Sequence, residues 1–303
     1  MKFAAIDIGS NAVRLLFCNV YDEKGKIYFK KAELIRVPIR LGEDSFLTGK
    51  ISAKKCDKLV TAMKAFKNLI EVYDVIDYRA CATSAMRDAE NGYDLVARVK
   101  KEAGIKIEII DGKTEADLIY ANHIEEHLDK KNNYLYIDIG GGSTEITLFS
   151  KNKAVVSQSF NVGTIRMLHD QIDKEYWNYF KNWVQEISKG YKPLIAIGSG
   201  GNINKLFRIT GRKPNKPVST VNLKALCELI ETYTYEERIQ ILGLNPDRAD
   251  VIIPASKILL TVLKKADIDK LLVPLIGLSD GIVHQLFEKY KEKNTAQKVV
   301  RSE

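Results

Sequence analysis

Two short segments a domain length apart carry nearly the same text. Residues 3–9 read Phe-Ala-Ala-Ile-Asp-Ile-Gly and residues 134–140 read Tyr-Leu-Tyr-Ile-Asp-Ile-Gly. Each is an apolar run that ends in Asp and then Gly. Each is followed by a second strand-like run (12–20 and 145–149), a short polar turn (23–26 and 151–153) and a third run (27–30 and 154–160). Short β-rich segments broken by glycine and charged turns predict antiparallel meanders. The spacing, roughly 130 residues, is too long for a solenoid repeat and fits two copies of one domain type.

After each meander the pattern changes to helices alternating with single strands. Residues 52–74 place Cys56, Leu59, Val60, Met63, Phe66, Ile70 and Tyr73 at helical spacing, with Ser52 as N-cap. A strand over 78–82, a helix over 93–103 stopped by Gly104, a strand over 105–110 and a helix over 114–128 follow. In the second half, a helix over 175–188 precedes a strand over 194–197, a glycine turn and a helix that ends at Gly211. Helical runs over 221–243 and 248–265, a strand over 271–276 and a closing helix from 281 complete the chain. This order predicts α/β layers in two domains, 1–125 and 126–303, with a hinge near 122–133.

Composition excludes several classes. Hydrophobic residues make up 45% and charged residues 28% of the 303 residues, values of a globular chain. Cys18, Cys56, Cys81 and Cys227 lie far apart and form no CxxC pair, so neither structural zinc nor a disulfide framework is expected. Asp7 comes too early for a signal peptide's apolar core, and no apolar stretch approaches the ~20 residues of a membrane span. A cytoplasmic protein without a membrane partner is expected. The balance of 47 Lys+Arg against 39 Asp+Glu gives +8, which suits a polyanionic ligand but also serves plain solubility.

Two Asp-containing turns are the strongest chemical signal. Asp7-Ile8-Gly9-Ser10-Asn11 and the segment from Asp138 through Gly140, Gly141, Gly142, Ser143 and Thr144 to Glu145 both set small residues between two strands. Glycine lets backbone approach a ligand closely, and a tight turn can aim several N–H groups at one phosphate. An Asp at each strand end would repel bare phosphate, so a bridging Mg²⁺ or Mn²⁺ is expected. A hairpin whose Asp satisfies its own backbone donors is the alternative for one such turn; the echo argues against it for two. A third glycine turn, Gly198-Ser199-Gly200-Gly201-Asn202, opens a helix and could seat an anion or nucleoside, or serve only as a tight turn. Glu115 falls in the first turn of a helix. It could complement the macrodipole, or deprotonate a water for in-line attack on phosphorus. Arg87 could clamp a phosphate or pair with Asp88 or Glu90.

Together the segments at 6–16, 82–91, 111–120, 137–149, 161–168 and 196–206 resemble the exopolyphosphatase / guanosine pentaphosphate phosphohydrolase family. The run IDIGGGSTE at 137–145 is the most specific of the six. The resemblance implies the fold of actin, heat-shock chaperones and sugar kinases: two ribonuclease-H-like α/β domains with a cleft between them. It implies that Glu115 is the catalytic base, that Asp138 and Glu145 support metal and water, and that Asp7 lies near the metal. It implies phosphate binding by Gly9, Ser10, Asn11, Arg87, the turn from Gly140 to Ser143, and the Gly200, Gly201 turn. Departures from the family pattern fall at Ala12, Lys113, Thr114, Asn202, Ser279 and Asp280.

The expected reaction is release of orthophosphate from the end of inorganic polyphosphate, with guanosine pentaphosphate as the alternative substrate and no DNA or RNA partner. A phosphotransferase and a non-catalytic alarmone sensor are the competing classes, separable by transfer to an acceptor and by binding without turnover. A homodimer is compatible with the resemblance.

Overall fold

The structure, a computed structural model, describes residues 1–120, 129, 131–213 and 216–300. The first meander is β1 (Lys2–Ile8), β2 (Val13–Glu23) and β3 (Lys26–Val37). Next come α1 (Leu41–Thr48), α2 (Ala53–Val72), β4 (Asp77–Ala82), α3 (Ser84–Asp88), α4 (Gly92–Ala103), β5 (Ile107–Ile109) and α5 (Gly112–Tyr120). The second meander is β6 (Asn133–Ile139), β7 (Thr144–Ser150) and β8 (Lys153–Phe160). It leads to α6 (Thr164–Leu168), α7 (Lys174–Ser188), β9 (Leu194–Ser199), α8 (Gly201–Ile209), β10 (Val218–Ser219) and α9 (Thr220–Thr232). The chain closes with α10 (Tyr235–Gln240), α11 (Pro246–Ala249), α12 (Ile252–Lys265), β11 (Lys270–Leu272) and α13 (Leu278–Val300).

The echo becomes two sheets of one design. The first has the order β3-β2-β1-β4-β5, an antiparallel meander continued by two parallel strands. The second runs β8-β7-β6-β9-β11, with the short β10 added antiparallel at its edge. Both are the ribonuclease-H-like order. Each meander closes its outer hairpin with two left-handed residues, Lys24 and Gly25 in the first and Lys151 and Asn152 in the second. That is the backbone of a two-residue turn matched to strand twist.

The chain divides into two compact units: Met1–Asn122 with Leu278–Glu303, and His123–Gly277. The expected boundary at 125/126 lies outside the described residues, as does the last part of the helix expected over 114–128. The assignment of the closing helix is corrected here, because α13 returns to the first unit. Its Leu278, Ile282, Val283, Leu286 and Phe287 share a core with Phe3, Ala5, Leu16, Cys18 and Cys81. Phe3 meets Phe287 edge-on at 6.2 Å and Tyr290 at 5.7 Å, and Lys31 on β3 pairs with Asp280. On β2, Phe17 stacks on Tyr73 at 4.2 Å. In the second unit, Leu135, Ile137 and Ile139 of β6 and Ile146 and Leu148 of β7 join Leu206 of α8 and Ile258, Leu259 and Val262 of α12.

Other differences are local. The run expected over 221–243 breaks at Tyr233, because Thr234 and Glu237 form a reciprocal capping box that starts α10. The strand expected over 271–276 covers only Lys270–Leu272. The short helices α1, α3 and α6 bury too few side chains to give a periodic signal.

All four cysteines are buried thiols. Burial pushes Cys18 up to about 11 and Cys81 up to about 12, from an ordinary value of 9.0. The folded state therefore holds these protons where the unfolded chain releases them. Their contribution to stability is complete below pH 9.0 and falls as the pH climbs from there towards the folded values. Denaturant midpoints should drop over that alkaline range, and less so in the Cys18→Ala/Cys81→Ala variant. Phe287→Ala should cost about 3–5 kcal/mol in urea unfolding of the first unit, the usual range for a buried aromatic.

Candidate active site

Within each unit the functional candidates follow the C-terminal ends of the parallel strands, the edge where α/β sheets bind ligands. In the first unit these are Asp7 at the end of β1, the Gly9, Ser10, Asn11 turn, Arg87 beyond β4 and Glu115 beyond β5. In the second they are Asp138 near the end of β6, the turn at 140–143, Glu145 on β7 and Gly200 and Gly201 after β9.

The two turns are built alike. Gly9 N–H donates to the Ala12 carbonyl at 3.2 Å, and Gly140 N–H to the Ser143 carbonyl at 2.9 Å. In each unit the short helix after the meander comes back to hold the turn's carbonyls. The Ser10 and Asn11 carbonyls accept from the N–H groups of Gly42 (2.8 Å) and Arg40 (3.0 Å) at the start of α1. The Gly140 and Gly141 carbonyls accept from the N–H groups of Thr164 (3.1 Å) and Ile165 (2.8 Å) in α6. The Gly142 carbonyl accepts from Arg166 Nε at 2.9 Å.

In a trans peptide the carbonyl and the next residue's N–H point in opposite directions. Three carbonyls held by α6 therefore set the N–H groups of Gly141, Gly142 and Ser143 on the opposite side. Successive N–H groups presented in this way form an anion nest.

Two glycines allow this approach. A Cβ on Gly163 would fall 2.4 Å from the Gly141 oxygen and from the Gly142 carbonyl carbon. Gly200, at φ 102, would place a Cβ 2.6 Å from the Ile139 oxygen and 2.9 Å from Asp138 Oδ1.

The carboxylates differ between the units in an informative way. Asp7 and Asp138 occupy matching positions, and the antiparallel register sets Arg14 opposite Asp7 but Glu145 opposite Asp138. Arg14 Nη1 lies 2.5 Å from Asp7 Oδ2, so the first carboxylate has its counter-cation within the chain. In the second unit two carboxylates face each other. Glu145, 2% exposed, accepts from Ser159 Oγ at 2.8 Å. Ser199 Oγ lies 3.2 Å from Asp138 Oδ2 and 3.0 Å from the Ile276 carbonyl.

Among the described residues no group of three or more His, Cys, Asp or Glu side chains forms a metal cage. Two adjacent hard oxygen donors beside an anion nest nevertheless fit Mg²⁺, which is usually held by one or two carboxylates together with substrate phosphates and water.

Glu115 is positioned by its helix start. Asp111 Oδ1 accepts from the Thr114 N–H at 2.7 Å, which holds the Asp111 carboxyl below its usual range. The Asp111 carbonyl accepts from the Glu115 N–H at 3.0 Å. Arg87 donates to the Ile110 carbonyl at 2.9 Å and lies 3.6 Å from Asp88, tying the end of β4 to the segment that carries Glu115. Asp7 lies directly across from Cys81 on the parallel ladder between β1 and β4.

Sequence reasoning missed the supporting residues. Ser84, whose Oγ lies 2.9 Å from Ser10 Oγ, lies in the segment at 82–91 with no role of its own. Thr164 and Arg166 fell in another. Arg40, Gly42 and Ser159 had no signal at all.

Two matched ribonuclease-H-like units, each carrying a tethered phosphate-type turn, define a class of phosphoryl-handling proteins. The model of the Ppx/GppA phosphatase family matches residues 22–290, and the chain belongs to that family. It is 24% identical over 303 aligned residues to Exopolyphosphatase 1 of Mycobacterium tuberculosis, covering 93% of this chain and 87% of that protein. A solved exopolyphosphatase from Cytophaga hutchinsonii shares the fold at a TM-score of 0.82 and 23% identity, covering 95% of this chain and 98% of its own. A solved Ppx/GppA family member from Aquifex aeolicus gives 0.75 and 27%, covering 96% and 98%.

Replacing Gly163 or Gly200 by alanine should destabilise the second unit by about 1–3 kcal/mol, the usual cost of overpacking, and distort the nest. Urea unfolding and phosphate-binding calorimetry on both variants check this. A wild-type result for Gly163→Ala would show that α6 does not clamp the turn.

Proposed function

We propose that the protein removes the terminal phosphate from inorganic polyphosphate and releases orthophosphate. The observation that carries this reading is the pair of turns whose carbonyls are tied back by a following helix. The arrangement favours a dense anion and offers little to a neutral substrate. The relatives named exopolyphosphatase, which match nearly the whole chain, support the same reading.

In this reading the N–H groups of Gly141, Gly142 and Ser143 bind oxygens of the terminal phosphoryl group. Ser10 and Asn11 add polar side chains, and Gly200 and Gly201 leave room beside Asp138. Glu115 orients a water and takes its proton as the oxygen attacks phosphorus in line. The shortened chain departs through the oxygen that bridged the last two phosphates. Asp138 and Glu145 would hold Mg²⁺, which when bound neutralises charge on the phosphoryl oxygens. Arg87 contacts substrate only if it exchanges its bond to the Ile110 carbonyl for a phosphate. Chemistry of this type depends on positioning and charge stabilisation, which is why most of the named groups bind and only Glu115 moves a proton.

Glu115→Gln keeps the side chain's size and removes the base. It should fold with an unchanged melting temperature and lose about 10²- to 10⁴-fold in kcat for orthophosphate release, the usual contribution of a general base. The assay is run in parallel on polyphosphate and guanosine pentaphosphate. Turnover confined to the nucleotide would move the substrate assignment, and full activity in the variant would remove Glu115 from its role.

A further inference from the structure

The clamp on the first turn depends on an unfavourable backbone. Arg40, the residue before α1, has φ 59 and ψ 48, in the left-handed region. Its N–H donates to the Asn11 carbonyl at 3.0 Å, and the Gly42 N–H, two residues on, donates to the Ser10 carbonyl at 2.8 Å. Left-handed backbone crowds a Cβ against the following carbonyl oxygen, so a residue such as arginine keeps it only where its surroundings over-determine it. Asp74, Asp170 and Asp267 are left-handed just beyond helix ends, where such backbone is usual. Arg40 stands at a helix start. The clamp on the second turn has no such requirement, because Gly163, the residue before α6, lies at φ −130 and ψ 166.

What over-determines Arg40 is a small charged network centred on Lys55, in the first turn of α2. Lys55 Nζ donates to the Arg40 carbonyl at 2.7 Å and to Glu43 Oε2 at 3.0 Å, and lies 2.7 Å from Asp44 Oδ1. Those three acceptors match the three N–H groups of an ammonium. Glu43 Oε1 accepts from Arg40 Nε at 2.7 Å, and Asp44 Oδ2 accepts from the Ser52 N–H at 2.9 Å. The Arg40 carbonyl accepts a second bond from the Glu43 N–H at 3.2 Å. Arg40 is thus anchored by its N–H, its carbonyl and its side chain. Burial alone would raise the Glu43 carboxyl, but the bond from Lys55 and the charge of Arg40 outweigh it and hold that carboxyl below its usual range. The Lys55 side chain is only 17% exposed, so these bonds are less screened than those of a surface lysine. All of these residues belong to the first unit.

We propose that Lys55 is a positioning residue: it locks Arg40 in the left-handed conformation and thereby keeps the Ser10 and Asn11 carbonyls turned back, with the Asn11 and Ala12 N–H groups facing the other way. This rests on the function proposed above, in which the first turn contributes to substrate binding. Lys55 touches neither substrate nor reacting atoms. Its effect is on the fraction of free molecules whose first turn is already arranged.

The test is a double-mutant cycle on the full chain: wild type, Lys55→Met, Arg40→Gly and the double variant. Methionine keeps the side-chain stem and removes the ammonium. Glycine adopts left-handed backbone freely and so removes the need for the lock. With Arg40 present, Lys55→Met should raise KM for polyphosphate about fivefold with kcat unchanged, the result of a smaller binding-competent fraction. On the Arg40→Gly background the same substitution should raise KM by less than about twofold. Exchange of the Gly42 amide, followed by NMR, should accelerate in Lys55→Met and be equal in Arg40→Gly and the double variant. Equal KM rises on both backgrounds, no rise on either, or a loss confined to kcat would overturn the proposal. If Lys55→Met does not fold, Lys55→Gln takes its place in the same cycle. If wild type hydrolyses no polyphosphate, the proposed function fails and the lock is judged by Gly42 exchange alone. Acceleration only where Arg40 is present supports it, and no acceleration, or the same acceleration on both backgrounds, rejects it.

Discussion

Everything proposed for this molecule depends on one backbone arrangement: the carbonyls of a short turn are held from behind, so its amides must face forward. The clamp in the second unit is α6, with the main chain of Thr164 and Ile165 and the side chain of Arg166. In the first it is the start of α1. A free glycine-rich turn samples many conformations, and ordering it around a ligand would cost conformational entropy at each residue. Here that ordering is completed during folding. The third strand of each meander delivers the clamping helix to the turn between the first two strands, so the sheet order and the anion nest are consequences of one topology.

The two units then diverge at a few positions. The residue across the ladder from the strand-end aspartate is Arg14 in one and Glu145 in the other. The residue beside that aspartate on the parallel neighbour is Cys81 in one and Ser199 in the other. The first unit thus closes its aspartate with an internal cation and an apolar neighbour. The second sets Glu145 and Ser199 beside its aspartate. A shared scaffold therefore sets the same strand-end carboxylate in two different electrostatic surroundings, without any change in backbone topology.

Much of this was legible in the residues. The repeated apolar-Asp-apolar-Gly text gave both meanders and both turns, because a strand that ends in a tight glycine turn leaves a local signature. Glu115 was legible as a first-turn acid on a helix. The clamps were not, because a main-chain N–H donor carries no residue identity: Arg40 and Gly42 could have been almost any pair. The distinction between Arg14 and Glu145 was also hidden, since it depends on which residue lies across the ladder. The break before α10 was written in Thr234 and Glu237 but masked by the apolar periodicity on either side. The destination of α13 was beyond reach for a different reason. Its apolar stripe says that it packs, and nothing local says against which sheet.

That destination affects how the molecule is made. The second unit is one continuous stretch, whereas the first is assembled from segments on both sides of it. During synthesis on a ribosome, β1 and β2 emerge early, with Phe3 and Leu16 still lacking their cover. The intervening unit has been fully translated before Phe287 exists. The later-numbered half can therefore complete its fold first, while the earlier half waits, partly open, for a helix encoded far downstream.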